Sequence, residues 1–469
     1  MLIEPVPLVP LARLGGVHFI AVGGAGMSGV AAMYAQAGVR VSGSDQADSP
    51  TLAELRDLGV RTHVGHDAAQ VGDASTVVVS SAVRETNPEL AEARRRGLRV
   101  WHRSAALAAL MVGRTGVAVT GTHGKTTTSA MTATLLSRAG ADPSWVVGSP
   151  LAATGRAWHA GAGEAFVVEA DESDGSFLQY PAAVVVLTNI EADHLDNWGT
   201  PQAYADGFVR LVTAETVRTV VLSADDPGTR QLAVRARAAG KSVLSYGESA
   251  EADVRIEEPA FPATGATATL RAVGDAGPLT LTVPGRYNLH NAAAAYAVGR
   301  ALGLPGALLR AGAADFAGTR RRFEKVGEPG GVRVFDDYAH HPTEVAATLT
   351  AARGLAGPGR LVACFQPHLF TRTRDFAGEF GRALGLADEV VVLGIYPARE
   401  DPIPGITGRL VADAAEPAAP GRVHYVEAVA DAAPALARLV RPGDLVVTLG
   451  AGDVTTVGPA LTRLLEHHE

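Results

Sequence analysis

The segment GTHGKTTT, from Gly121 to Thr128, carries the residue types that handle phosphate. Gly121 and Gly124 let backbone N–H groups turn toward an anion, the Lys125 ammonium neutralises it, and the Thr126 hydroxyl suits a divalent cation. Thr122, His123 and Thr127 complete the turn. The spacing is a shortened phosphate loop, since Val119 stands where the first glycine of the usual pattern would be. Downstream, Glu169, Asp171, Glu172 and Asp174 place four acids within six residues, a density that calls for something positive nearby. A second group follows in Asn189, Glu191, Asp193, His194 and Asp196. Either run alone reads as a solvated acidic loop. Carboxylates and an imidazole converging on a phosphate loop point instead to a divalent metal on a nucleoside triphosphate.

A separate glycine turn lies near the start. In GGAGMSG, Gly24, Gly26 and Gly29 satisfy G-x-G-x-x-G, with Ala25 and Met27 between them, and Ser44 and Asp45 follow after a second β-branched run. Such a turn brings the backbone against a pyrophosphate at a helix N-terminus, with an acid beyond it for a ribose. It reports a nucleotide diphosphate and not which one. Ser80 and Ser81 end another run, where a polar loop reaches the same ligand or simply caps the strand.

The elements that position these groups are short β-branched runs at 17–22, 76–81, 116–121, 183–190, 219–224, 361–365, 389–396 and 445–450. They alternate with Ala/Leu-rich stretches of helical length, the pattern of parallel-sheet α/β units. Each chemical group stands at the carboxyl end of a run, the edge where open parallel sheets bind ligands. Motifs restart along the chain and suggest blocks of 1–113, 114–318 and 319–469. The Ala-rich stretch 291–314 reads as two packed helices split by Pro305 and Gly306.

Composition narrows the classes. The chain has 469 residues, 47% hydrophobic and 19% charged, which excludes disorder as the main theme. A formal charge of −8 leaves no overall basic field for nucleic acid or an anionic membrane. The single cysteine, Cys364, has no internal disulfide partner, and no long uncharged apolar run reads as a membrane span or secretion signal. A cytoplasmic protein, monomer or weak homodimer, is expected.

Taken in order, GGAGMSG, SGSD, TGTHGKTTT, EADESDGSF, TNIEADHLD, PGRYNLHNAAAA, GTRRRFE, FDDYAHHPTE, FQPHLFTRTRDF and YPAREDPIPG resemble the motifs of the Mur ligases, ATP-dependent amino-acid-adding enzymes of peptidoglycan synthesis. The resemblance covers essentially the whole chain. It implies an α/β fold of three domains: a Rossmann-like N-terminal domain for a UDP sugar, a central ATPase domain and a Rossmann-like C-terminal domain. It also implies UDP-N-acetylmuramate and L-alanine as substrates. The lactyl carboxylate would take the γ-phosphoryl group of ATP, and the amine would then displace phosphate. A branch that attaches recycled murein peptide to the same sugar is the alternative.

Carried over by motif position, Lys125, His194 and Arg322 are expected to act in catalysis. Thr126, Glu169 and His194 are the implied magnesium ligands. ATP contacts fall to Gly121, Thr122, His123, Gly124, Lys125, Thr126, Thr127, Asn288, Asn291, Arg322, Asp337 and His340. UDP-sugar contacts fall to Gly24, Ala25, Gly26, Met27, Ser44, Asp45, Ser80 and Ser81. Tyr338, His368 and Arg372 are implied for the amino acid. Read without the resemblance, Arg320 to Arg322 form an exposed basic patch, and Asp336, Asp337, Tyr338, His340 and His341 a possible metal cluster. The chain departs from the family pattern at Ala21, Tyr287 and Leu369, where glycine, histidine and arginine are usual. An NAD-dependent oxidoreductase suits the first block alone but leaves the phosphate loop unexplained. A catalytically dead regulator has no need of so complete a phosphate and metal set.

Overall fold

A computed structural model describes residues 2–262, 264–398 and 400–467, apart from the side chain of Asp196. It is an α/β protein built on three sheets. The first has five parallel strands, β1 (Val17–Ile20), β2 (Val41–Asp45), β3 (Arg61–Val64), β4 (Thr76–Val79) and β5 (Arg99–His102), in the order β3-β2-β1-β4-β5. Helix α1 (Ala25–Gln36) follows β1.

The second sheet has ten strands: β6 (Thr115–Thr120), β7 (Ser144–Val146), β8 (Trp158–His159), β9 (Ala165–Glu169), β10 (Ala182–Leu187), β11 (Thr219–Ser223), β12 (Ser242–Gly247), β13 (Val254–Ala260), β14 (Ala266–Ala272) and β15 (Asp275–Leu281). Its order is β15-β14-β13-β12-β11-β10-β6-β9-β7-β8, and the central run from β12 to β9 is parallel. Strands β6, β9 and β10 are therefore neighbours, which brings the loops after all three to one edge. Helix α2 (Lys125–Arg138) follows β6. The Ala-rich stretch forms two helices, Arg286–Ala301 and Gly306–Ala313, separated at Pro305.

The third sheet orders β16 (Glu324–Gly327), β17 (Arg333–Asp337), β18 (Leu361–Phe365), β19 (Glu389–Leu393), β20 (Val423–Val426) and β21 (Leu445–Leu449) as β16-β17-β21-β18-β19-β20, with only β16 antiparallel. Its central strands are buried on both faces, which accounts for runs such as LVACF and LVVTL that show no alternation.

The chain forms two compact units. One holds Met1–Glu258, Ala268–Thr280 and His290–Phe316, so the first two sheets lie together. A single apolar cluster runs through this unit from Leu14, Val30 and Met33 to Phe166, Phe177 and Phe208. The segment ahead of β1 runs over it as a strap: Ile3 donates its N–H to the Asp174 carbonyl (2.7 Å), and Gln179 exchanges two hydrogen bonds with the backbone of Val6 (2.7 and 3.0 Å). The other unit holds the third sheet with Pro259–Thr267 and Leu281–Leu289. No helix among the described residues is long and apolar enough to cross a membrane.

Candidate active site

The phosphate loop leaves β6 and enters α2 through two glycines with positive φ, Gly121 (+124°) and Gly124 (+81°). A methyl group on Gly121 would stand 2.2 Å from the Thr188 hydroxyl, so the loop closes only around glycine there. The loop is braced from the end of β10. Asn189 accepts the His123 N–H (2.9 Å) and donates to its carbonyl (3.0 Å), Thr188 donates to the same carbonyl (2.6 Å), and Thr122 donates to the Glu191 carbonyl (2.9 Å). Asn189 is among the candidates of the second polar group, whereas Thr188 and Tyr204, whose hydroxyl lies 2.9 Å from that of Thr122, are supporting residues that motif reading does not single out.

Lys125 opens α2 with its ammonium folded back on the loop, donating to the carbonyls of Gly121 (2.7 Å) and Thr122 (2.9 Å) and pairing with Glu172 at 2.8 Å. Glu172 is fully buried, and burial pushes its carboxyl up to about 7 against the pull of Lys125. Burial works against the Lys125 charge as well, but Glu172 and Asp171 outweigh it and hold the ammonium above its usual value. These are the positive and negative partners that the dense acidic run called for.

Thr126 donates to Glu169 at 2.9 Å, and the other Glu169 oxygen accepts the Gly148 N–H at 2.6 Å. The pair sets a hydroxyl and a carboxylate beside Lys125, hard oxygen donors of the kind magnesium takes. His194 adopts a left-handed backbone (φ +54°) that turns its ring to within 3.8 Å of Glu172 and 3.5 Å of Asp193. Thr127 is buried in the first turn of α2, and Asn291 accepts from the Thr128 hydroxyl at 3.0 Å. Asn288 donates to the Pro284 carbonyl at 2.7 Å.

In the first sheet the glycine turn stands where expected, between β1 and α1. Gly24 caps α1 without a side chain, leaving the helix start to Ala25, Gly26 and Met27. Asp45 holds the turn by accepting the Gly23 N–H at 2.8 Å. Ser44 is fully buried and donates to Glu89 at 2.6 Å. Beside it, His18 (3.2 Å) and His66 (2.8 Å) reach the same carboxylate. Ser80 follows β4, and Ser81 donates to Asp174 at 3.0 Å, tying the end of β4 to the acidic loop of the second sheet. Arg103, which opens the helix after β5 and lies 3.9 Å from Asp171, has no motif of its own; its one signal was a cation at a strand end.

In the other unit, the backbone N–H groups of Phe323 and Ala339 hold the Asp337 carboxylate at 2.7 and 2.8 Å. Burial pushes that carboxyl up to about 6, opposed by Arg322. Tyr287 lies among the same charges, filling the place of the usual histidine with a half-buried phenol. The guanidinium groups of Arg321 and Arg322 lie 4.8 and 5.1 Å from the Tyr338 ring. His340 lies half-buried against Glu344, Arg372 and His368, and the loss of water around it pushes its imidazole down to about 3, so it is neutral. His340 and His368 meet edge to face, and His368 stacks on Tyr396. Arg372 is buried in the helix Phe370–Leu384, which begins after Leu369 turns the chain at φ +69°. Tyr338, His340, His368 and Arg372 thus gather as one cluster, while Asp336 is taken up by the hydroxyls of Thr448 (2.5 Å) and Thr455 (2.9 Å).

Comparison with known proteins agrees with this layout. Residues 16–115 match the description "Mur ligase family, catalytic domain", 119–299 "Mur ligase middle domain" and 321–452 "Mur ligase, glutamate ligase domain". The UDP-N-acetylmuramate–L-alanine ligase of Cutibacterium acnes is 63% identical over 465 residues, covering 99% of this chain and 98% of the relative. That of Kineococcus radiotolerans is 56% identical, with 97% of each covered. The crystal structure of UDP-N-acetylmuramate-alanine ligase from Thermotoga maritima superposes with a TM-score of 0.81 at 28% identity, covering 97% of this chain and all of that one. A murein peptide ligase from Psychrobacter arcticus shares the fold with a TM-score of 0.70 at 24% identity, covering 96% of this chain and 99% of that one.

Proposed function

The chain belongs to the Mur ligase family, and on that premise we propose that it performs the reaction for which its full-length relatives are named. It is an ATP-dependent ligase that forms an amide between the lactyl carboxylate of UDP-N-acetylmuramate and L-alanine, releasing ADP and phosphate. The carboxylate attacks the γ-phosphorus of ATP, the acyl phosphate forms as ADP leaves, and the alanine nitrogen then displaces phosphate at the acyl carbon. The observation that carries this reading is the gathering of Lys125, Thr126 and Glu169 at one loop in a chain matched end to end by ligases of this type.

Lys125 leaves Glu172 for the phosphates and carries the charge on the transferred phosphoryl group, with Arg322 as a second cation. Magnesium held by Thr126 and Glu169, with His194 for a second ion, supplies further charge neutralisation when bound. Asn288 and Asn291 are assigned to adenine, the remaining loop residues with Asp337 and His340 to ATP, and Tyr338, His368 and Arg372 to alanine. The glycine turn, with Ser44, Asp45, Ser80 and Ser81 around it, is assigned to the UDP sugar. The domain boundaries follow at 113/114 and 318/319, and the enzyme works in the cytoplasm as a monomer or weak homodimer.

The test is release of ADP and phosphate with ATP, magnesium and UDP-N-acetylmuramate, with and without L-alanine. Dependence on both sugar and alanine is expected. Dependence on the sugar with preference for a murein tripeptide would transfer the assignment to the peptide-adding branch. Lys125→Ala should lower turnover by about 100-fold or more while UDP-sugar affinity holds; near-normal turnover would remove Lys125 from the mechanism.

A further inference from the structure

Arg103 stands at an unusual place for a cation. It opens the helix Arg103–Met111 at the end of β5, and its side chain crosses to the glycine turn. A methyl group added to Gly26 would lie 3.3 Å from Nη1 of Arg103 and 3.6 Å from Cζ, so the guanidinium rests on the first turn of α1. Only 28% of the side chain is exposed. Its closest acid is Asp171 at 3.9 Å, beyond hydrogen-bond reach, and it makes no hydrogen bond among the described residues. Burial works against its charge, but Asp171, with Asp174 and Glu169 beyond it, outweighs that and holds the guanidinium above its usual value.

A largely buried guanidinium with five donors and no acceptor is costly unless an anion completes it. The side of Arg103 that carries no acid faces the turn where α1 begins without a side-chain cap, and both features suit the same anion. We propose that Arg103 binds the diphosphate of the nucleotide sugar, its guanidinium donating alongside the backbone N–H groups that open α1; this rests on the reading of the glycine turn as the UDP-sugar site. The planar fork accepts two phosphate oxygens at once, which an ammonium does not. Gly26 is glycine for this reason as much as for the phosphate itself, since a side chain there would push the guanidinium off the turn. Asp171 and Asp174 hold the cation from the other side, and Ser81 donates to Asp174, so the diphosphate and the acidic loop share one network.

The experiment measures the affinity of the full-length chain for UDP-N-acetylmuramate, UDP, uridine and ATP by titration calorimetry or competition, for wild type, Arg103→Ala and Arg103→Gln. Both variants should lose about 10- to 100-fold for UDP and the UDP sugar while uridine and ATP affinities stay as they were. In turnover, KM for the UDP sugar rises by the same factor, and kcat at saturating sugar and KM for L-alanine hold. A purely bracing role for Arg103 would lower kcat and leave the difference between UDP and uridine intact. Unchanged UDP affinity in either folded variant overturns the proposal, and Arg103→Gln decides should Arg103→Ala fail to fold. Wild-type protein that binds neither UDP nor the UDP sugar would instead overturn the parent assignment of the glycine turn.

Discussion

Ala21 turns the chain out of β1 with a φ of +59°, a conformation that suits glycine, the residue usual at this position in the family. Ala21→Gly should relieve that strain and stabilise the first sheet by somewhat less than about 1 kcal/mol, the added flexibility of the unfolded chain offsetting part of the gain. Equal or lower stability in urea unfolding would show that the turn is unstrained. Nearby, the fully buried Glu89 makes a second case. Burial pushes its carboxyl up, but hydrogen bonds from His18, Ser44 and His66 outweigh it and hold it below the usual carboxylate range. Its contribution to stability is therefore present at neutral pH and above the unfolded carboxyl value, and is lost as pH falls through the lower folded value. Glu89→Gln should cost about 1–3 kcal/mol at pH 7, and the gap from wild type should close at acid pH; a gap that persists unchanged would remove the carboxylate charge from the account. At this scale the motif residues were readable because phosphate and metal chemistry restricts residue type and spacing. Glu89 and Arg103 were not, since their roles arise from partners far along the chain.

Gly29 shows the same division among whole elements. The fingerprint marks it as the last glycine of a nucleotide turn, yet a methyl group there would stand 2.9 Å from Cδ1 of Trp158, on β8 of the second sheet. Helix α1 thus lies on an element of the next block, and Gly29→Ala should destabilise the protein by about 1–3 kcal/mol through overpacking. A denaturation midpoint equal to wild type would mean that α1 shifts freely. Strand cores and their order were legible from β-branched runs, but several ends were not. The run 389–396 stops as strand at Leu393 because the Gly394 N–H turns to the Glu427 carbonyl, and 17–22 stops at Ile20 because Ala21 turns left-handed. Hydrophobicity continues past both points, so periodicity had no signal for either stop.

Across the whole molecule, the first two sheets share one apolar cluster while the third is served by clusters of its own. Calorimetry should therefore resolve two transitions, with the first and second sheets melting together. Separate melting of residues 1–113 would contradict the shared core. Motif restarts showed three blocks but not this fusion, nor that Pro259–Thr267 and Leu281–Leu289 gather with the last sheet, because shared burial leaves no mark on composition. The strap ahead of β1 then has a bearing on how the chain is made. Val6 finds its partner Gln179 173 residues later, and Glu4 reaches Arg210 after 206. Those early residues have left the ribosome long before their partners exist, so the acidic loop beside Lys125 is latched only once the chain has grown past Arg210, when β6, β9 and β10 have already been made.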